Sequence, residues 1–137
     1  MLLVPTRIGP STLHGIGLFA LSAIPRGTQV WRFTPPFDQH FDPDEIAKEP
    51  PHVVKFFDHF GYLDRNSKRM VLCFDDARFT NHSADPNIGM IGFDEDPFGI
   101  DVALRDIAAG EEITCNYDDF EDGGALWASP HPPSAGR

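Results

Sequence analysis

Thirteen prolines and twelve glycines are spread along 137 residues, and this punctuation limits the chain more than any other feature. Proline fixes φ and removes an amide donor, while glycine admits backbone angles that other residues avoid, so both tend to end helices and strands. Long helices packed into a bundle are therefore not expected; short strands joined by many turns are. The length suits one domain. At 41% hydrophobic and 23% charged residues the chain can build a core, and collagen, coiled coil and wholesale disorder are excluded.

The apolar pattern places the elements. Val53, Phe56, Phe57 and Phe60 fall at i, i+3, i+4 and i+7, which predicts an amphipathic helix over 52–60 ended by Gly61, with Pro50 and Pro51 barring extension backwards. Asp42 reads as a cap with Pro43 in the first turn, opening a short helix to about Lys48. Strands are expected at 30–33, 70–74, 88–93, 100–104 and 113–117, where β-formers are bounded by turn residues. Residues 64–68 and 94–99 read as hairpin connections. Residues 128–137 read as a disordered tail after a domain over 1–127. One stretch echoes another: 21–30 and 104–113 share Leu, Ile, Gly and a β-branched residue at matching positions, which predicts one turn type used twice.

The net charge is −10 but uneven. Residues 1–34 carry three arginines and no acid; residues 75–123 carry 14 acids against Arg78 and Arg105. That is the wrong sign for direct nucleic-acid binding. The acidic half either attracts something basic or is a solvated surface. No apolar run approaches the ~20 residues of a membrane helix. The opening Met1-Leu2-Leu3-Val4 stops at Pro5, so no secretory signal is expected. Two cysteines, Cys73 and Cys115, build neither a disulfide framework nor a four-thiolate zinc site, and a cytoplasmic location is expected.

Three clusters could carry chemistry. Gly15-Ile16-Gly17 lets backbone approach a ligand, but it lacks the third glycine and the helix of a dinucleotide fingerprint, and by itself reads more readily as a bulge or turn than as a binding loop. Arg78-Phe79-Thr80-Asn81-His82-Ser83-Ala84-Asp85-Pro86-Asn87 offers directional polar groups in a loop fixed by proline, or a loop that caps itself. His82 and Asp85 do not match a metal-ligand spacing, and no metal is expected. Gly110-Glu111-Glu112-Ile113-Thr114-Cys115-Asn116-Tyr117 ends a strand on one of only two tyrosines; the other is Tyr62. A thiol-protease reading of Cys115 with His82 has no flanking signature, and Cys115 is expected mid-strand rather than at a helix start.

In that order and spacing the three clusters resemble the SET domain, a family of protein lysine methyltransferases that use S-adenosylmethionine. The resemblance runs from about Thr12 to Phe120. It implies a mainly β fold of several small curved β-sheets with a few short helices, a variable insert at about 38–68, and a C-terminal strand threaded beneath the Asn-His-Ser segment in a pseudoknot. It further implies that Gly15, Ile16 and Gly17 meet the cofactor through backbone, that Asn81 and His82 hold its two ends, and that Tyr117 is the catalytic tyrosine, also in contact with the cofactor. Phe120 and Trp127 would close the adenine site, with Tyr62 and Cys115 walling the substrate channel; Tyr62 reads equally as a packed strand residue. The implied substrate is a basic, lysine-containing protein or peptide, with a homodimer possible. Ala84 stands where many histone-directed members have a zinc-binding cysteine, and no cysteine follows Cys115, so the post-SET zinc module is absent from this sequence. Asn116 replaces the usual aspartate before the tyrosine. The competing expectation is a catalytically inactive module of the same fold that binds a peptide or cofactor.

Overall fold

The computed structural model describes residues 1–92 and 96–122. Along the chain lie β1 (Thr6–Pro10), β2 (Ile16–Ala20), β3 (Gln29–Arg32), β4 (Gln39–Phe41), α1 (Pro43–Ile46) and α2 (Pro51–Phe60). They are followed by β5 (Tyr62–Leu63), β6 (Met70–Leu72), β7 (Asn81–His82), β8 (Ile88–Ile91), β9 (Ile100–Ala103) and β10 (Glu112–Cys115). The strands form three small sheets, ordered β1-β2-β10-β7, β3-β9-β8 and β4-β6-β5. The fold is mainly β, as expected.

Each predicted strand is present, with ends shifted by a residue or two. The shift that bears on function is at the C-terminal motif: the strand stops at Cys115, and Tyr117 opens a 3-10 turn over Tyr117–Asp119. Cys115 is thus at a strand end, not mid-strand. Asn116 explains the break, because its side-chain oxygen accepts from the Asp118 amide at 3.1 Å and caps the turn. An aspartate can accept the same bond. The connection 64–68 does join the paired strands β5 and β6, while part of 94–99 and the whole of 128–137 lie outside the described residues. Strands β1, β2, β4, β5 and β7 escaped the sequence reading, being very short or interrupted by glycine and proline.

Helix α2 begins one residue earlier than expected, on Pro51. Proline suits a first helical position because the missing N–H would have no partner there. The amphipathic stripe is real, yet no residue of α2 is buried. Its Phe57 and Phe60 rings lean on Phe41 and Phe79 at 5.1 and 6.0 Å.

The internal echo is more than a repeated turn. Gly27 and Gly110 take φ of 84° and 83°, the left-handed region that favours glycine. The two segments also pair with each other: Ile24 N donates to Ile107 O at 2.8 Å, and Ile107 N returns the bond to Ile24 O at 2.9 Å. Gly27 N donates to Ala103 O and Gly110 N to Ala20 O, both at 2.7 Å. The echoed segments thus join the sheet holding β2 to the sheet holding β9 by a near-symmetric exchange.

Strand β10 is an inner strand of the four-stranded sheet. It runs antiparallel to β2, setting Ile113 opposite Leu18, both wholly buried, and parallel to β7, setting Thr114 and Cys115 beside Asn81 and His82. Truncating a side chain buried like Leu18 to alanine costs roughly 2–5 kcal/mol. The loop after β7 wraps β10: Asn87 Nδ2 donates to Glu112 O at 2.7 Å and Asn87 Oδ1 accepts from Thr114 N at 2.9 Å. This is the expected threading of the C-terminal strand against the Asn-His-Ser segment.

Candidate active site

The three clusters, up to a hundred residues apart in sequence, meet on β10. Glu112, at its first position, accepts from Asn81 Nδ2 at 2.9 Å through Oε1 and from Ser11 Oγ at 2.9 Å through Oε2. The same Asn81 amide nitrogen lies 3.0 Å from His14 O and 3.2 Å from Ile16 O. An amide NH2 has two hydrogens, so one is shared among these three acceptors. Gly15 turns the chain with φ 45°. Gly17 leaves the space that the Glu112 carboxylate fills, since a Cβ there would stand 2.2 Å from Oε1. The glycine motif, the Asn-His motif and the Gly-Glu-Glu motif are therefore one hydrogen-bonded brace.

The far end of β10 opens onto a cavity of about 40 Å³, several times the ~10–15 Å³ that a single water needs. Tyr62, Cys115, Tyr117 and Phe120 line it, with Trp31, Thr80 and Asp101. Tyr117 is buried; its hydroxyl donates to Thr80 O at 2.6 Å and its backbone N–H to His82 Nδ1 at 3.2 Å. The Phe120 ring stands 4.9 Å from Tyr62 and 5.9 Å from Tyr117, tilted edge-on to each. Those three aromatics form a narrow, largely apolar wall.

The expected residues thus fall into two groups. Gly15, Ile16, Gly17 and Asn81 belong to the brace, and Tyr62, Cys115, Tyr117 and Phe120 to the cavity. His82 connects them, being parallel-paired with Cys115 while its ring meets Tyr117 at 5.3 Å. Phe120, expected over a cofactor, stands with the channel residues. Trp127 lies outside the described residues. Among the described residues no three His, Cys, Asp or Glu side chains gather as a metal site. Sequence reasoning missed Glu112 and Asn87, which were in plain view within the motifs but had no role, and Asp101, which no motif contains.

Three buried side-chain polar atoms make no hydrogen bond among the described residues: Asn81 Oδ1, Trp31 Nε1 and Asp64 Oδ1. Such an atom carries a desolvation penalty of about 1–3 kcal/mol unless a ligand or water meets it. The Asn81 nitrogen side faces acceptors, so its oxygen is correctly the side left open. Asp101 is pushed up from 3.8 to about 7, chiefly because burial disfavours its charge; nearby Asp119 adds to the rise, and the Met1 amine opposes it.

The SET domain family matches this chain over residues 15–118, which holds all three clusters and the whole brace. The chain belongs to the SET domain family. No curated protein sequence matches it significantly. Among solved structures, this SET domain is similar to a chain of a humanized mutant of the Chaetomium thermophilum Polycomb Repressive Complex 2 bound to the inhibitor GSK126. The two are 27% identical with a TM-score of 0.63, over 87% of this chain and 16% of that one. An autoinhibited Chaetomium complex bound to S-adenosylmethionine is similar in fold, at 24% identity and TM-score 0.62, again over 87% of this chain and 16% of that one. A Plasmodium falciparum candidate histone methyltransferase also shares the fold, at 19% identity and TM-score 0.55, over 83% of this chain and 93% of that one. The SET domain described here spans about 16% of the Chaetomium chains it matches.

Proposed function

We propose that this SET domain transfers a methyl group from S-adenosylmethionine to a lysine amine of a basic protein or peptide. The observation that carries the reading is the position of Tyr117. Its backbone N–H donates to the His82 ring nitrogen and its hydroxyl to the carbonyl of Thr80, just before β7, while the same residue walls the narrow aromatic cavity. Family membership and a related Chaetomium structure holding S-adenosylmethionine support it.

The cofactor fit rests on donor chemistry. Asn81 Oδ1 is a buried acceptor without a partner, complementary to the ammonium of an amino-acid moiety. Gly15, Ile16 and Gly17 would bring backbone close, although the Ile16 carbonyl already accepts from Asn81. His82 would help to hold the other end, and Trp127 with Phe120 would complete the enclosure. When bound, the cofactor supplies an activated methyl on a sulfonium.

The chain's own part is positioning. An in-line transfer is accelerated mainly by holding the reactants aligned, and effective molarities of ~10⁵–10⁸ M show how large that effect can be. Tyr62, Cys115, Tyr117 and Phe120 would confine a lysine side chain to one approach. Burial also lowers the amine pKa from its ordinary ~10.4, favouring the neutral nucleophile. Tyr117 would orient the reacting groups through its hydroxyl. The acidic half of the chain would draw in the basic substrate.

Calorimetric titration of S-adenosylmethionine, followed by methyl-transfer assays on basic and acidic peptides, tests this reading. Micromolar cofactor binding and transfer to the basic peptide that weakens with salt are expected. Binding without transfer to any peptide would leave the non-catalytic module instead, and equal rates on both peptides at all ionic strengths would remove the charge argument.

A further inference from the structure

Among the residues lining the cavity, Asp101 is the one carboxylate, and strand pairing sets it on β9 directly opposite Trp31 of β3 and Met90 of β8. Directly paired residues project to the same face, with Cβ atoms about 4.5–5.5 Å apart. Asp101, Trp31 and Met90 all line the cavity that Tyr117 lines. The Asp101 carboxylate makes no hydrogen bond or ion pair among the described residues. The indole N–H of Trp31, the residue paired with it and 4% exposed, also lacks a partner among the described residues. A half-buried carboxylate and an unmet donor at one end of an aromatic cavity have no structural use that the fold reveals.

Resting on the methyltransferase reading, we propose that Asp101 is the proton acceptor for the substrate amine. A lysine enters as an ammonium, and a cationic nitrogen has no lone pair to attack with. In the cavity an N–H bond of that ammonium breaks and an O–H bond forms on Asp101, which leaves a neutral amine and a neutral acid in the apolar enclosure. Methyl transfer then forms the N–C bond and breaks the S–C bond of the cofactor, and the product departs as a methylammonium. Asp101 returns its proton to solvent. Trp31, paired with Asp101 across the two strands, brings an unmet N–H donor to the same cavity.

The electrostatic setting suits the task. Burial raises the Asp101 pKa to about 7, so the group is basic enough to take a proton, about half ionised at pH 7 and mostly ionised above it. The charged groups that act on it are Asp119, from the turn after β10, which raises it, and the Met1 amine, which lowers it. The titratable groups facing it across the cavity are Tyr62, Cys73, Cys115 and Tyr117. On β3 the neighbouring Arg32 is engaged by Asp96 at 2.8 Å.

The test compares the full chain with Asp101→Asn and Asp101→Glu, each first checked by thermal melting and cofactor calorimetry. In wild type, kcat/KM for a basic peptide is expected to rise through pH 7 and then level off. In Asp101→Asn it falls roughly 10²-fold at pH 7.5, the size of a lost general base, and climbs with pH until the loss has nearly closed at pH 10. Asp101→Glu restores the levelling-off at a reduced rate. Independently of activity, the Asp101 carboxyl followed by ¹³C NMR titrates near 7, and its signal moves when butylamine is added as a lysine mimic. An Asp101→Asn enzyme with the wild-type rate and pH profile overturns the proposal. So does an Asp101→Glu profile that coincides with that of Asn, or a carboxyl titrating at the ordinary value. If the wild-type chain binds no cofactor and methylates no peptide, the methyltransferase reading itself falls and this proposal falls with it.

Discussion

The two ends of β10 hold polar groups on opposite terms. At the Glu112 end almost every polar atom is answered from within the chain: the carboxylate accepts from Ser11 and Asn81, and the asparagine amide faces three acceptors. At the other end, where Tyr117 follows β10 five residues beyond Glu112, Trp31 and Asp101 have polar groups unanswered by the described residues in a cavity walled by aromatics. A saturated cluster stabilises and fixes geometry; an unsaturated one stands ready for something from outside. The difference teaches that the brace is held largely from within the chain while the cavity is the end where the proposed chemistry would take place, although both are built from the same three motifs. Asn81 belongs to both, since its nitrogen serves the brace while its oxygen is left over.

Mutations should separate the two ends. The largest effect is expected from Tyr117→Phe, which loses a hydroxyl that touches the cavity: methyl transfer falls by roughly 10²–10³-fold, whereas stability changes by only about 1 kcal/mol. Comparing turnover with the urea midpoint on one preparation checks this, and equal losses in both would erase the contrast. At the brace the order reverses. Glu112→Ala leaves the Ser11 hydroxyl without its acceptor and Asn81 with only the His14 and Ile16 carbonyls, and should remove about 1–3 kcal/mol, read as a melting temperature lower by roughly 5–10 °C, with Glu112→Gln recovering part of it.

A smaller effect carries a pH signature. Because Asp101 has its pKa raised from 3.8 to about 7 on folding, the folded chain prefers the protonated form. The stability it contributes is complete below the ordinary carboxylate value and is lost as pH rises through about 7. Asp101→Asn, which cannot ionise, should therefore melt roughly 3–6 °C above wild type at pH 8.5 and match it at pH 4. Calorimetric melts at the two pH values decide the matter. The smallest effect lies on the surface. Glu111 is held below its ordinary value, first by the hydrogen bond from Arg105 at 2.5 Å. Its stabilisation is present above that ordinary value and fades as pH falls through the lowered one. Arg105→Ala should cost under about 1 kcal/mol and nothing measurable in 0.5 M salt.

Much of this was legible along the chain. The β-rich runs, the i, i+3, i+4 pattern of 53–60 and the motif order led to a mainly β SET fold, and those elements are present. Local rules suffice there, because glycine, proline and hydrophobic period act over a few residues. The burial of α2 was not legible, since periodicity marks an apolar face without saying whether anything covers it. Strand β7 was missed for a related reason: two residues become a strand only when β10 is laid beside them. Trp127, expected at the cofactor, lies outside the described residues, so its placement there stays an expectation.

Asp101 marks the boundary most clearly. In the sequence Ile100-Asp101-Val102-Ala103 it reads as an ordinary polar residue in a half-exposed strand. Only pairing with Trp31, seventy positions away, turns it toward the cavity. The sequence by itself determined where the chain turns, which runs extend, and which residue types are available for chemistry, because those follow from backbone sterics and local apolar spacing. The tertiary structure decided which polar groups find partners and which are stripped of water without one. Solvation and local dielectric depend on everything packed around a group, and most of what surrounds Asp101, Trp31 and Asn81 comes from distant parts of the chain.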